Sequence, residues 1–174
     1  MRDLFRNIVR DVRTELMDQY DQNFRTKSFF GKPWKQTRFP NKRGSLMMRS
    51  GQLRRGNRAV INGNSIVFSN SQPYAEIHNE GGTIIVTAKM IKFFWAMYYK
   101  SAGAAATAKG KRNETLSAEA QQWKSLALKK PGSVMKIEKR QFIGWHPSLK
   151  IRVEEIINAN MQEAEQYITN ILRR

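Results

Sequence analysis

Large apolar residues recur at three- and four-residue steps near both ends of the chain. The first series is Phe5, Val9, Val12, Leu16, Tyr20 and Phe24, and the second is Leu149, Val153, Ile157, Met161, Ala164, Ile168 and Ile171. Such spacing places the residues of each series on one face of a helix. It predicts an amphipathic helix over residues 3–24 and another from Pro147 to the end. At about 1.5 Å per residue, the closing helix would be roughly 40 Å long, so we expect part of its stripe to face a partner subunit.

Between these helices, short β-prone runs alternate with helical ones. Ala59–Ile61 and Ile66–Phe68 flank the turn-rich residues Asn62–Ser65, which predicts a β-hairpin. Further predicted strands are residues 83–87 and 134–137, the latter continuing to Phe142 and Ile143. Further predicted helices are residues 46–55, 74–78, 89–99 and 117–128.

Two segments after the third strand differ sharply in character. Residues 89–99 are apolar on nearly every side, which predicts a helix buried inside the domain or against another chain. Residues 101–113 contain no large apolar side chain. We expect this basic segment to be flexible because it has nothing to anchor by burial.

The chain from Arg25 to Met48 is predicted to be a loop. Glycines and prolines divide it, and the aromatic residues Phe29, Phe30, Trp34 and Phe39 lie among lysines and arginines. Aromatic side chains in a basic loop can stack on nucleic-acid bases. In a long proline-containing loop they more often pin the loop onto its own domain or a neighbouring subunit, and we favour that interpretation.

Positive charge is the unusual feature of the composition. The 174 residues, a length typical of one domain, include 31 Lys and Arg against 14 Asp and Glu, which gives a formal net charge of +17. Eleven basic residues and no acidic one lie between Asp21 and Glu76. Such a surface could neutralise nucleic-acid phosphates or dock on an acidic protein surface, and the sequence leaves both open.

Candidate chemistry is sparse. The chain has no cysteine and only two histidines, which excludes disulfides, thiolate metal sites and multi-histidine metal sites. No phosphate-binding glycine motif or nucleophile motif occurs. Glu76, His78 and Glu80 resemble a metal-ligand set, but residues two apart on a helix point in different directions. A metal-dependent nuclease is therefore the least favoured hypothesis for the function. We expect no catalytic residue, metal or cofactor.

Targeting signals are also missing from the sequence. The first residues lack the apolar run and cleavage site of a secretory signal. The longest strongly apolar run, Phe93–Tyr99, is too short to cross a bilayer as a helix. We expect a protein made in a cytoplasm, without a membrane partner.

Three short stretches, in this order, resemble the virion morphogenesis family of tailed bacteriophages, whose Mu-like members are tail-completion or neck proteins. They are residues 48–54 (Met-Arg-Ser-Gly-Gln-Leu-Arg), residues 74–82 (Tyr-Ala-Glu-Ile-His-Asn-Glu-Gly-Gly) and residues 139–144 (Lys-Arg-Gln-Phe-Ile-Gly). The resemblance spans most of the chain. The sequence departs from the family pattern at Glu138, where a proline is common, and in residues 88–132, which are longer than the usual connection.

The resemblance implies an α+β fold in which a small antiparallel sheet is flanked by helices, with long N- and C-terminal helices. It implies a structural protein without catalytic activity, located in the virion at the head–tail junction and made in the bacterial host cytoplasm. Its members would form a ring, hexameric or dodecameric, between the portal or connector and the tail tube or tail terminator. Packaged DNA would pass through this ring or stop at it.

Two groups of residues are the candidate contacts. The expected subunit or partner interface comprises Phe93, Phe94, Trp95, Tyr98, Arg140, Phe142, Ile157 and Ile168. The expected contacts to DNA or to an acidic partner are Arg49, Arg54, Arg55, Arg58, Lys89 and Lys92. The alternative hypothesis is a free-standing basic nucleic-acid-binding protein that works through residues 25–58.

Overall fold

The computed structural model describes residues 2–37 and 44–173, which form six helices and six short strands. The helices are α1 (Arg2–Thr26), α2 (Gln52–Arg55), α3 (Ala75–Glu80), α4 (Ala88–Ala106), α5 (Lys111–Ala127) and α6 (Pro147–Leu172). The strands are β1 (Ser28–Phe29), β2 (Lys32–Pro33), β3 (Asn57–Asn62), β4 (Ser65–Asn70), β5 (Gly82–Ile85) and β6 (Val134–Ile137). The predicted mixture of helices and small antiparallel sheets, with long terminal helices, is confirmed.

These strands pair as three separate antiparallel ribbons, β1–β2, β3–β4 and β5–β6. The chain divides into two compact units: unit 1 contains residues 2–36, 44–80 and 139–173, and unit 2 contains Thr37 and residues 81–138. The single domain expected from the length stays a prediction.

Unit 1 is built on the two long helices. Val12, Leu16 and Tyr20 of α1 are buried together with Leu149 of α6. Asn160, which follows Leu149 in α6, donates a side-chain hydrogen bond at 3.1 Å to Asp11, which precedes Val12 in α1. Later residues of α6 therefore lie beside earlier residues of α1, and the two helices run antiparallel. Both helices were predicted from the spacing of apolar residues. The predicted series is buried from Val12 to Phe24 in α1, whereas in α6 only its first member, Leu149, is buried.

The start of α6 follows from its first residues. A ring nitrogen of His146 accepts a hydrogen bond from the backbone N–H of Ser148 at 3.3 Å and caps the helix. Pro147 occupies the first turn, where no backbone donor is needed.

The predicted hairpin is also present. Strands β3 and β4 pair from Asn57–Asn70 to Asn62–Ser65, and Gly63 turns the chain with a φ of 57°. The inner face of β4 packs on α1, where the Phe68 ring meets Tyr20 edge-to-face at 5.2 Å. The outer face leaves Val60 and Val67 exposed.

A helix over residues 46–55 was predicted, but only Gln52–Arg55 is helical. Met47 and Gly51 have φ values of 61° and 73°, which are left-handed conformations that interrupt a right-handed helix. The residues before Gly51 form turns instead.

The predicted loop over residues 25–48 contains the β1–β2 ribbon and is held by its aromatic residues. Trp34 is buried and meets Phe24 at 5.6 Å, while the Phe30 ring stacks on His146 at 4.5 Å. Pinning of this loop onto its own unit is therefore confirmed at these two positions. Phe39 and Pro40 lie outside the described residues.

A second cluster of buried side chains gathers distant parts of unit 1. Its members are Phe24, Trp34, Leu46, Leu53, Ala75 and Phe142. Phe142 belongs to residues 139–144, which we call the bracing segment. The predicted continuation of the strand into Phe142 and Ile143 is wrong, because the bracing segment has no regular structure and its backbone groups bond to other parts of unit 1.

Unit 2 consists of the α4–α5 helical pair and the β5–β6 ribbon. Thr87 caps α4 by accepting the backbone N–H of Met90 at 3.2 Å. Phe93 and Phe94 of α4 contact the Trp123 ring of α5 at 5.9 and 6.1 Å. The strand predicted at residues 134–137 is confirmed, and its partner occupies residues 82–85.

The interpretation that residues 101–113 have nothing to anchor by burial is wrong. Ser101 and Ala105 are buried in the last turns of α4, as is Ala120 in α5, because small side chains let two helices approach closely. The side-chain amide of Asn113 closes the turn by donating to the carbonyl of Ala105 at 2.7 Å. Flexibility of this segment stays a prediction.

We expect Phe142→Ala to lower the free energy of unfolding of unit 1 by about 3–5 kcal/mol, because it removes a ring that is only 1% exposed from the second cluster. Urea denaturation followed by circular dichroism measures the change. Ile168→Ala is the control, since this apolar residue is 55% exposed and its loss should cost less than about 0.5 kcal/mol. Equal losses in the two variants would contradict the assignment of Phe142 to the core.

Candidate interaction surfaces

The bracing segment is bonded to α3 along one side. The side-chain oxygen of Asn79 accepts the backbone N–H groups of Phe142 and Ile143 at 2.9 and 3.0 Å. The carbonyl of His78 accepts the backbone N–H of Arg140 at 2.8 Å. These bonds satisfy backbone donors that a strand partner would otherwise satisfy.

Its other side is bonded to α1 and to the loop that follows β2. Asn23 donates to the carbonyl of Phe142 at 3.2 Å, Tyr20 to that of Gly144 at 3.1 Å, and the indole of Trp34 to that of Gln141 at 2.7 Å. Burial raises the pKa of Tyr20. The bracing segment therefore fixes α1, α3 and the loop in one arrangement.

Two residues of this segment had been expected at a partner interface, and the structure corrects that expectation. Phe142 is 1% exposed and Arg140 is 9% exposed. The Arg140 guanidinium donates to the carbonyl of Lys35 at 2.9 Å. The Phe142 ring packs inside unit 1, and the Arg140 guanidinium is hydrogen-bonded inside it. Both side chains therefore stabilise unit 1 itself.

Unit 1 brings together the three stretches that carry the family resemblance. Leu53 from the first, Ala75 from the second and Phe142 from the third lie in one buried cluster, with Met48 and Ile143 packed against it. The resemblance therefore falls on residues that pack on one another rather than on scattered surface positions.

Among the predicted DNA or acidic-partner contacts, Arg54 is already engaged. Its guanidinium binds both carboxylate oxygens of Asp21, and Arg25 contacts the same carboxylate at 3.0 Å. Hydrogen bonding from Arg54 is the main cause that lowers the pKa of Asp21. Arg54 therefore links α2 to α1 and is less available to a partner than the sequence indicated.

The other three arginines of this group are exposed. Arg55 donates to the carbonyl of Ser50 at 2.9 Å and, with Arg54 and Asp21, lines an open cleft of about 700 Å³. Arg49 and Arg58 do not line this cleft. Exposed guanidinium groups of this kind suit contact with phosphate or carboxylate groups.

The residues Glu76, His78 and Glu80 all lie on α3 but do not form a metal site. In the part of the chain that the structure describes, no group of three or more histidine, aspartate and glutamate side chains could hold a metal ion. The Glu80 carboxylate is paired with Lys139 at 3.0 Å, and this contact is the main cause that lowers its pKa.

His78 serves as a packing residue. Its Nδ1 atom is buried and has no hydrogen-bond partner among the described residues, and its ring meets Tyr74 at 6.0 Å. Burial is the main cause that lowers the pKa of His78, and the nearby charge of Arg140 adds to it. Burial therefore favours the neutral form of the side chain.

In unit 2, the predicted interface residues divide between the two sides of α4. Phe94 is buried against α5 and is not available to a partner, which corrects its assignment. Trp95 and Tyr98 are partly buried and lie 5.6 Å apart. Phe93 and Tyr99 are 54% and 66% exposed, so the described residues do not cover this side of the helix, and its burial against another chain stays a prediction.

The outward side of α4 also carries lysines. Lys89, Lys92 and Lys100 are exposed, and helical spacing places them on the same side as Phe93 and Tyr99. We call these five residues the lysine face. Two of its lysines, Lys89 and Lys92, were among the predicted contacts.

In unit 1, Ile157 and Ile168 are exposed on α6. Three further apolar residues are exposed near the end of the helix but were not selected from the sequence: Tyr167, Ile171 and Leu172. The continuing three- and four-residue spacing was the signal that could have identified them.

An apolar cleft of about 700 Å³ lies beside α6 in unit 1. Its lining includes Phe5 and Val9 of α1, Ile61 of β3 and Met161 of α6.

No protein-family model matches the chain, and no curated protein or solved structure is significantly similar to it. Within residues 2–37 and 44–173, none of the helices has the length and apolar character needed to span a membrane.

We expect acidification to weaken the fold through His78. Because the folded state lowers its pKa below the ordinary value of 6.5, the unfolded chain binds more protons between the two values. The free energy of unfolding should therefore fall as the pH drops from about 7 through 6.5 and towards the lowered pKa. Thermal denaturation across this range measures the effect.

The matched variants for this measurement are His78→Phe and His146→Asn. The first removes the titrating group and should flatten the loss of stability below pH 7. The second keeps a helix-capping side chain and should retain the loss. A wild-type profile that is flat between pH 7 and 5 would show that His78 does not control acid stability.

Proposed function

We propose that this protein is a structural component of the head–tail junction of a tailed bacteriophage, a tail-completion or neck protein that assembles as a homo-oligomeric ring. Its partners would be the portal or connector on one side and the tail-tube or tail-terminator protein on the other. The protein would act by filling and joining surfaces rather than by catalysis.

The observation that carries the proposal is the exposed apolar surface of the helices. Ile168, Ile171 and Leu172 at the end of α6 are 55%, 53% and 79% exposed, and Phe93 and Tyr99 of α4 are similarly open. Extended apolar surface on two helices is costly for a solitary protein and is typical of subunits that are covered on assembly.

Two further observations support the proposed role at the head–tail junction. The three stretches that resemble the virion morphogenesis family pack together in unit 1, which is expected when they mark a shared structural framework. The net charge of +17 suits a protein placed beside packaged DNA or acidic neighbours.

Deletion of the coding sequence from the phage genome that carries it tests this proposal. We expect lysates to contain DNA-filled heads and separate tails in electron micrographs, with joined particles restored by the wild-type gene supplied in trans. Complete, infectious particles that lack the protein would overturn the proposal.

The alternative, a free-standing nucleic-acid-binding protein, is favoured by the exposure of Arg49, Arg55 and Arg58 in a region without acidic residues. If these side chains contact phosphates, replacing all three by alanine should reduce the slope of log K against log salt by about 2–3. Gel shifts with duplex DNA over a salt series measure the slope. Arg54 is left intact because its loss would free Asp21 and disturb the fold.

The matched control replaces Lys130 and Lys136 of unit 2, which are also exposed, together with Lys111. This variant loses the same charge. An equal change of slope in both variants would mean that the three arginines are not a specific contact site.

A further inference from the structure

The last three turns of α6 form an apolar stripe that no described part of the chain covers. Helical spacing places Tyr167, Ile168, Ile171 and Leu172 on one side of the helix, and all four are more than half exposed. The same side is packed against α1 and β4 nearer the start of the helix, at Leu149, Val153 and Ile156. The packing face therefore continues beyond the elements that cover it.

Acidic residues border this stripe. In a chain of net charge +17, residues 153–172 contain four glutamates and neither lysine nor arginine. Glu154 and Glu155 are paired with Lys150 and Arg152. Glu163 and Glu165 have no partner among the described residues and stand on opposite sides of the stripe. We call Glu163, Glu165 and the four apolar residues the acidic stripe.

The lysine face of α4 has complementary properties. Lys89, Lys92 and Lys100 are exposed and make no ion pair with a described residue. Phe93 and Tyr99 supply exposed aromatic surface on the same side, and Ala96 between them leaves room for a second helix to approach. The face thus offers apolar contact together with unpaired positive charge.

We propose that the acidic stripe of one copy docks on the lysine face of a second copy. The proposal rests on the proposed function, of which it names the subunit contact. Opposite unpaired charges fix the register, and the apolar residues supply the buried area. Two different surfaces meet in this contact, so one copy keeps a free lysine face and the other keeps a free acidic stripe, and repetition yields a ring or a filament.

A nucleic acid is the competing occupant of the lysine face. The acidic stripe makes the second copy the better match, because it brings apolar residues that would cover Phe93 and Tyr99. Phosphates would neutralise the lysines but would leave the stripe on α6 open.

Charge reversal in the full-length protein tests the contact. The first variant carries Lys89→Glu and Lys92→Glu, the second carries Glu163→Lys and Glu165→Lys, and the third combines all four changes. Sedimentation equilibrium at about 0.1 M salt measures self-association. Each double variant should associate at least about tenfold more weakly than wild type, and the combined variant should recover to within about threefold of it.

The matched control carries Lys130→Glu and Lys136→Glu, which changes the charge of unit 2 by the same amount at exposed positions outside α4. It should associate like wild type. Circular dichroism of each variant checks that the helices are retained.

Carbodiimide cross-linking of a mixture of isotopically light and heavy copies provides an independent readout. We expect light–heavy links between Lys89 or Lys92 and Glu163 or Glu165. Wild-type protein that stays monomeric at all concentrations, association that survives both double variants, or inter-chain links confined to other residues would overturn the proposal. So would loss of DNA binding, without loss of self-association, in the lysine variant.

These outcomes are distinct from those of the genome deletion. A deletion that leaves heads and tails unjoined, combined with charge-insensitive self-association, rejects the contact and keeps the head–tail role. Normal particles after deletion, combined with rescue by the fourfold charge swap, reject the role and keep the contact.

Discussion

Unit 1 depends on hydrogen bonding of a buried backbone segment that has no strand partner. Backbone donors and acceptors removed from water must find partners, and in the bracing segment those partners are side chains. Asn79 binds two successive backbone N–H groups, and Asn23 binds the carbonyl of Phe142. Loss of either amide would leave buried polar groups unsatisfied, which costs more than the hydrogen bond itself contributes.

The same segment unites the two apolar clusters. Phe142 is buried in the cluster around Phe24 and Trp34, while Ile143 packs against both that cluster and the one between α1 and α6. The polar bonds orient the segment, and the apolar side chains on it fill the space between the elements. Hydrogen bonding and packing thus depend on each other.

Local patterns were sufficient to predict the long helices and the β3–β4 hairpin. Apolar spacing defined α1 and α6, and the Asn-Gly turn signal defined the hairpin, because in each case the information lies within a few neighbouring residues. Elements whose structure depends on distant partners were not predicted. Phe142 and Ile143 have the composition of a strand, but their backbone bonds go to Asn79, more than sixty residues earlier.

The candidate sites also divide into features set by neighbouring residues and features that depend on distant partners. Exposure of Ile157 and Ile168 followed from the length of α6, whereas the engagement of Arg54 depends on Asp21, which lies 33 residues away. Burial of Ser101 and Ala105 had no sequence signal, because small side chains show their packing role only when the facing helix is known. The family resemblance remains an argument from the sequence, since the comparisons with known proteins found no match.

The β5–β6 ribbon gives unit 2 a property that concerns insertion and removal of a segment rather than stability. The ribbon begins at Gly82 and ends at Ile137, and these two residues are paired neighbours across it. The whole helical pair is therefore attached to the chain at two adjacent backbone positions, and adjacent ends are a condition under which domain insertion is tolerated. Replacing it with a tight turn would leave the route of the rest of the chain unchanged.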